Sequence, residues 1–234
     1  MTWLTKIVPD LGSRRARSCF GSAGELHRLV IGLAAHSLGE ERVESPRQRA
    51  GLLFRVEETR GAPVLLVQSS GSLNADALGA GFGSMVERDL TPFLEGLEKG
   101  TEVRYRIAAA PSKRLGKSDL NAERLGKRAE RLGELAQPGK RTYTRPLFGE
   151  QAEQWWRERA QRHGLDLSDV VSSGAVPSLD QGRTGKRGVR IHVTRFDGHA
   201  VVRDPDALRE AVRNGIGRGK SFGCGMLSLA PAGW

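Results

Sequence analysis

Apolar and polar positions recur regularly enough to lay out most of the chain. Trp3 to Val8 reads as a short strand. Ser22-Ala23-Gly24-Glu25 has the spacing of a capping box, Ser at the N-cap and Glu three residues on. The helix it opens runs to about Leu38, with Leu26, Leu29, Val30, Leu33, Ala34 and Ser37 on one side, and Gly39 stops it. Leu52 to Glu57 and Pro63 to Gln68 are two strands joined by a turn at Glu58 to Ala62. Leu52, Phe54 and Val56 alternate with Leu53, Arg55 and Glu57, as a sheet with one covered face requires. A looser, glycine-rich segment runs from Gly71 to Gly83, and Thr91 to Gly96 carries one helical turn. Val103, Tyr105 and Ile107 then alternate with Arg104 and Arg106 in a further strand. Strand, helix, strand, strand, weak helix, strand is the ferredoxin-like βαββαβ order.

Pro111 to Gly139 breaks the pattern: it is dense in Lys, Arg and Glu and reads as a solvated linker. The plan then repeats. Lys140 to Pro146 reads as a strand, Glu150 to His163 as a helix carrying Trp155 and Trp156, and Leu165 to Val176 as an extended piece. Asp180 to Gly188 is a basic turn, and Val189 to Phe196 a strand with alternating Arg190, His192 and Thr194. Asp197-Gly198 is a hairpin-turn signal, and His199 to Arg203 the returning strand. Asp204-Pro205 starts a helix with Pro at its first position. The expectation is an α+β chain of two tandem ferredoxin-like (βαββαβ) domains, residues 1–110 and 140–234, joined by the charged linker 111–139.

The stretch Gly215-Ile216-Gly217-Arg218-Gly219-Lys220-Ser221-Phe222-Gly223-Cys224-Gly225 sits between that last helix and a final strand. Such a loop lets a phosphate-bearing ligand approach the main chain and offers N–H groups to anions. A nucleotide-binding P-loop, G-x-x-x-x-G-K-[ST], fits poorly. Its first glycine would fall at Asn214, and the loop follows a helix where a P-loop follows a strand.

Among 234 residues the net charge is +10, a surplus that favours nucleic acid or another anionic surface. Aromatics are only 6%, and Val64 to Val67 has none, so phosphate contact and duplex shape are better supported than base stacking. The longest apolar run, Leu29 to Ala35, is far short of a membrane span, and Met1 to Asp10 lacks the order of a signal peptide. Cys19 and Cys224 form neither a disulfide framework nor a zinc set, which suits a reduced cytoplasm.

None of the five histidines has a partner at metal-ligand spacing, so neither a metal nor another cofactor is expected. His27 stands out because it lies within two turns of a helix start, beside the stretch Leu11 to Ser18, which reads as a basic loop carrying Arg14, Arg15 and Arg17. A half-buried packing histidine is the competing reading. RNA would give the imidazole work: the ribose 2′-hydroxyl can attack its own phosphodiester, given a base, an acid and cations around the phosphorus.

The chain resembles the CasE family, the CRISPR RNA-processing endoribonucleases of type I-E Cascade systems. The residues that carry the likeness are the glycine-rich stretch with Met226 to Pro231, Leu4-Thr5-Lys6, Leu26-His27, Leu53 to Glu57, Val64 to Gln68, Tyr105-Arg106-Ile107 with Pro111, and Lys140-Arg141. The resemblance implies metal-independent cutting of repeat RNA at the 3′ base of a stem-loop, retention of the product hairpin, and assembly with the other Cascade subunits. It places the catalytic histidine at His27, with Arg28 beside it. It places the RNA grip on a basic hairpin around Arg183, Lys186 and Arg187. The residues themselves add Arg190, Lys6, Arg14, Arg15 and Arg17, and Gly217, Arg218, Gly219, Lys220 and Ser221 of the glycine-rich stretch as candidate RNA contacts; Arg218 departs from the family pattern and adds a phosphate contact of its own. Some members carry a tyrosine where Gly24 stands, so no second catalytic side chain carries over from that position. A module that holds a hairpin RNA without cutting it would use the same basic surface, and on either reading the isolated protein is expected to be a monomer.

Overall fold

The computed structural model describes residues 1–38, 45–115, 144–174, 178–179 and 190–233. The first lobe runs β1 (Trp3–Pro9), α1 (Arg14–Phe20), α2 (Ala23–Leu33), α3 (Ala35–Leu38), α4 (Pro46–Arg49), β2 (Leu53–Glu57), β3 (Val64–Ser69), a 3-10 turn at Ala75–Leu78 and β4 (Gly83–Asp89); α5 (Thr91–Glu95), expected in the first unit, follows and packs through Leu94 on the core of the second lobe. The strands of the first lobe form one antiparallel sheet in the order β2-β3-β1-β4.

The second lobe runs β5 (Glu102–Ala109), β6 (Ser112–Arg114), β7 (Thr144–Pro146), α6 (Glu150–Arg162), β8 (Leu165–Leu167), β9 (Val171–Gly174), β10 (Ser178–Leu179), β11 (Arg190–Ile191), β12 (Thr194–Val202), α7 (Pro205–Asn214), a 3-10 turn at Lys220–Phe222 and β13 (Leu227–Pro231). Its sheet has the order β13-β5-β12-β8, with β9 also on β12. Both sheets have the strand order of a ferredoxin-like fold.

The first lobe's fourth strand is not the one the sequence pattern suggests. The strand at 102–109, expected in the first unit, pairs with β12 and β13 and opens the second sheet. Its place in the first sheet is taken by β4, which begins at Gly83, where the loose glycine-rich segment ends. β4 is an edge strand with most side chains exposed, so no apolar alternation announces it.

A second correction concerns Gly198. β12 passes straight through Asp197-Gly198 without a turn. A Cβ on Gly198 would lie 2.4 Å from the Asp169 carbonyl oxygen and 2.8 Å from the Tyr105 hydroxyl, so the glycine answers a close approach within the sheet. A third concerns 11–18, expected as a loop: Ser13 caps α1 there, accepting a hydrogen bond from the Ala16 amide. α2 ends at Leu33 rather than near Leu38, and the short α3 follows. Gly39 and most of the linker lie outside the described residues.

Each sheet has its own core. Ile7, Leu26, Val30, Leu33, Phe54, Leu65, Val67 and Phe82 close the first, between the sheet and α2. Ile107, Trp156, Phe196, Leu208 and Val212 lie in the second, where Trp156 stacks on Phe196 with ring centroids 6.0 Å apart. The lobes are joined by buried polar contacts. Arg55, 3% exposed, donates to the Met226 carbonyl at 2.9 Å and the Ser228 hydroxyl at 3.0 Å. Gln68 donates to the Val212 carbonyl at 2.7 Å. No helix among the described residues is long and apolar enough to cross a membrane.

Candidate functional site

The start of α2 carries the candidate catalytic residue. Ser22 caps it by accepting from the Glu25 amide at 3.4 Å. The Glu25 carboxylate leaves the box and pairs instead with Arg28 at 2.6 Å. His27 is half-buried, and its ring centroid stands 6.4 Å from that of Phe54, the planes inclined by 31°. The ring is therefore both packed against β2 and reachable from solvent.

The glycine-rich segment meets the same place from the other lobe. The turn Lys220–Phe222 packs against α2 and β2. Gly219 and Gly223, at φ +80° each, bracket it in the left-handed region that other residues avoid. A Cβ on Gly223 would stand 3.4 Å from the Phe54 ring, so Phe54 is a shared floor under His27 and the loop.

Arg47, in α4, completes the cluster. Burial first, and then the Arg47 charge, hold the His27 imidazole below its usual range. The same two causes in the same order lower Lys220. Arg47 itself is lowered by burial, and it donates to the Leu52 carbonyl at 3.2 Å. A neutral imidazole beside two half-buried cations is suited to take a proton from a hydroxyl while the cations face a phosphate. Sequence reasoning missed Arg47. The only local signal was Ser45-Pro46 ahead of a basic turn, with no apolar periodicity to mark it.

The other expected site residues divide by place. Arg14, Arg15 and Arg28 line a separate groove of about 660 Å³ with Cys19 and Leu29. That groove lies on another side of α2, since Arg28 is turned about 100° from His27. Arg15 donates to the Leu78 carbonyl at 2.9 Å and lies over the Phe82 ring, and Arg17 donates to the Leu11 and Gly12 carbonyls, so both also hold local structure. Lys6 is exposed on the sheet face opposite the α2 core, beside Leu66 and Val86 in the register. Gly217 and Arg218 are exposed at the far end of the loop from Lys220, and Ser221 is half-buried within the turn. Arg183, Lys186 and Arg187 lie outside the described residues; Arg190 is described only as backbone, pairing with Leu179.

Residues 2–231 match the family model described as CRISPR associated protein. The CRISPR-associated endoribonuclease Cse3 of Thermus thermophilus is 30% identical over 231 residues, covering 98% of this chain and 100% of that protein. A solved structure of CRISPR endoribonuclease Cse3 bound to 19 nt RNA superposes with a TM-score of 0.77 at 25% identity, over 98% of this chain and 100% of that one. A chain of a CRISPR RNA-guided surveillance complex, pre-nicking, is 46% identical with a TM-score of 0.66, over 98% of this chain and 99% of that one.

Proposed function

The chain belongs to the CasE/Cse3 family of CRISPR-associated proteins, and on that premise we propose that it is a metal-independent endoribonuclease acting on CRISPR repeat stem-loops in precursor crRNA. The observation that carries the reading is that His27, packed against Phe54, and Lys220, on the turn that packs against α2 and β2, both lie within the charge of Arg47 at the seam of the two lobes.

His27 takes the proton from the 2′-hydroxyl next to the scissile phosphate, and its low affinity for protons keeps it ready to do so at neutral pH. The freed 2′-oxygen attacks phosphorus, forming one P–O bond as the bond to the 5′-oxygen breaks. Arg47 and Lys220 face the charge that builds on the phosphoryl oxygens, and the products are a 2′,3′-cyclic phosphate and a 5′-hydroxyl. Lys220, itself lowered, is the candidate to protonate the departing 5′-oxygen. Arg28, tied to Glu25, is not placed for this step. The protein stays on the 3′ hairpin of the crRNA and joins the other Cascade subunits in the cytoplasm.

The test is cutting of the matching repeat RNA in EDTA. Wild-type protein is expected to leave a 2′,3′-cyclic phosphate, and a 2′-deoxy sugar at the cut site to block it. RNA that is bound but stays whole across a broad pH range would make the protein a hairpin-binding module instead.

A further inference from the structure

A second cationic concavity lies at the other end of the glycine-rich loop. It has a volume of about 360 Å³ and is lined by Ser112, Arg114, Thr144, Trp155, Arg159, Gly217 and Arg218. Three elements and the loop build it. Ser112, Arg114 and Thr144 share one face of the β6–β7 ladder, in which Arg114 pairs with Thr144. Trp155 and Arg159 are one turn apart on α6, and the guanidinium lies 4.1 Å from the indole centroid. Arg218 donates to the Thr144 hydroxyl and fixes the loop against the ladder.

Gly217 sets the wall. At φ +83° it lies so close to the indole that a Cβ would stand 3.3 Å from Trp155 Cη2. The loop can therefore lie flat along the ring edge. Arg114, Arg159 and Arg218 pair with no carboxylate among the described residues. The Trp155 Nε1 donor is buried without a partner there as well. Cations gathered without acid, with hydroxyls between them, fit a phosphate.

The same loop that brings Lys220 to His27 brings Arg218 to this pocket. Gly217 to Lys220 is three peptide steps, at most about 11 Å. A strand with its scissile phosphate at His27 thus has neighbouring phosphates within reach of the pocket.

We propose that this pocket is a phosphate subsite for the unpaired RNA strand flanking the scissile bond. The proposal rests on the endoribonuclease reading and names the part of the substrate it leaves open. The shape argues for a single strand. A concavity of this size takes a phosphate and its ribose but not the breadth of a duplex, whose phosphates meet open basic ground. Base stacking is not the grip, since Arg159 already covers the indole face.

The experiment uses the full chain and the matching repeat hairpin with a 2′-deoxy sugar at the cut site. One RNA ends at the stem and the other carries a short unpaired extension past the cut. Wild-type protein is expected to bind the extended RNA about tenfold more tightly. Its affinity should also fall more steeply with salt, by about 0.7 in log–log slope for each phosphate neutralised. Arg114→Gln, on the exposed ladder, and Arg159→Gln should each lose most of that increment, while their affinity for the blunt hairpin stays within about twofold. A matching melting temperature for Arg114→Gln shows that the fold is kept. An increment that survives both substitutions, or equal weakening toward both RNAs, overturns the subsite. Loss of assembly with Cascade subunits while the RNA increment persists assigns the pocket to a protein partner, and also overturns it. A wild type that cuts the hairpin but gains nothing from the extension overturns the subsite alone. One that binds neither RNA overturns the endoribonuclease reading as well.

Discussion

Arg55 donates to the carbonyl of Met226 at 2.9 Å across the seam between the lobes, from a side chain that is itself almost wholly buried. The same guanidinium pairs with Glu57 at 2.6 Å, and Glu57 reaches on to Arg106 at 3.1 Å. Burial lowers Arg55, and the Glu57 charge opposes it. This clamp ties the strand that carries Phe54 to the strand that follows the glycine-rich loop, so it sets how His27 and Lys220 face each other.

Arg55→Ala should therefore cost about 3–5 kcal/mol of stability, because it strips a buried ion pair and leaves the Met226 carbonyl without its donor. Urea unfolding of the purified chain checks this. Cutting should fall further than the unfolded fraction explains, since the two halves of the site lose their register.

His27→Ala should lower the cleavage rate roughly 100- to 10,000-fold with hairpin binding nearly unchanged. Single-turnover rates and a filter-binding assay on the same RNA separate the two effects. Normal cutting by this variant would sink the site assignment.

The pH profile reports on Arg47. A base whose proton affinity is lowered is free at lower pH, so the rate should rise through a pKa below the ordinary histidine value of 6.5 and level off before neutrality. In Arg47→Gln one source of the lowering is gone, so the rising limb should move upward toward that value. A merely structural Arg47 would change the plateau and leave the limb in place.

Gly198→Ala should destabilise the second lobe by about 1–3 kcal/mol through overpacking. The added methyl has nowhere to go between the Asp169 carbonyl and Tyr105. Thermal melting checks the prediction; an unchanged midpoint would mean that Asp169 and Tyr105 do not approach Gly198 this closely.

Both cysteines should be silent toward a thiol reagent in the native protein at pH 8. Burial pushes the Cys224 thiol up to about 12, and burial followed by Glu25 raises Cys19. Thiolate is the reactive form, so labelling should appear only on unfolding. Rapid native labelling of Cys224 would show that the loop does not pack as described.

Much of the fold was legible locally. The Ser22 cap, the apolar stripe of α2, the places of β2 and β3, and Pro205 at the start of α7 appear where the pattern puts them, but the one covered face expected of β2 does not: Leu53 and Arg55 are buried against the other lobe while Val56 is exposed. What failed did so for physical reasons. β4 is an edge strand with a polar, glycine-led sequence, and α1 is too short and basic to show periodicity. Gly198 carries the signature of a turn but serves a close contact that only the neighbouring strands reveal.

The sequence by itself determined the cationic balance, the helix start that presents His27, and a glycine-rich segment able to fold tightly beside an anion. These are properties of composition and of residues a few positions apart, where capping and backbone freedom act. Only the tertiary structure decided that β5 belongs to the second sheet, that Arg47 stands with His27 and Lys220, and that Arg114, Arg159 and Arg218 share a pocket. Strand pairing and charge clusters join residues far apart in the chain, and local pattern carries no term for them.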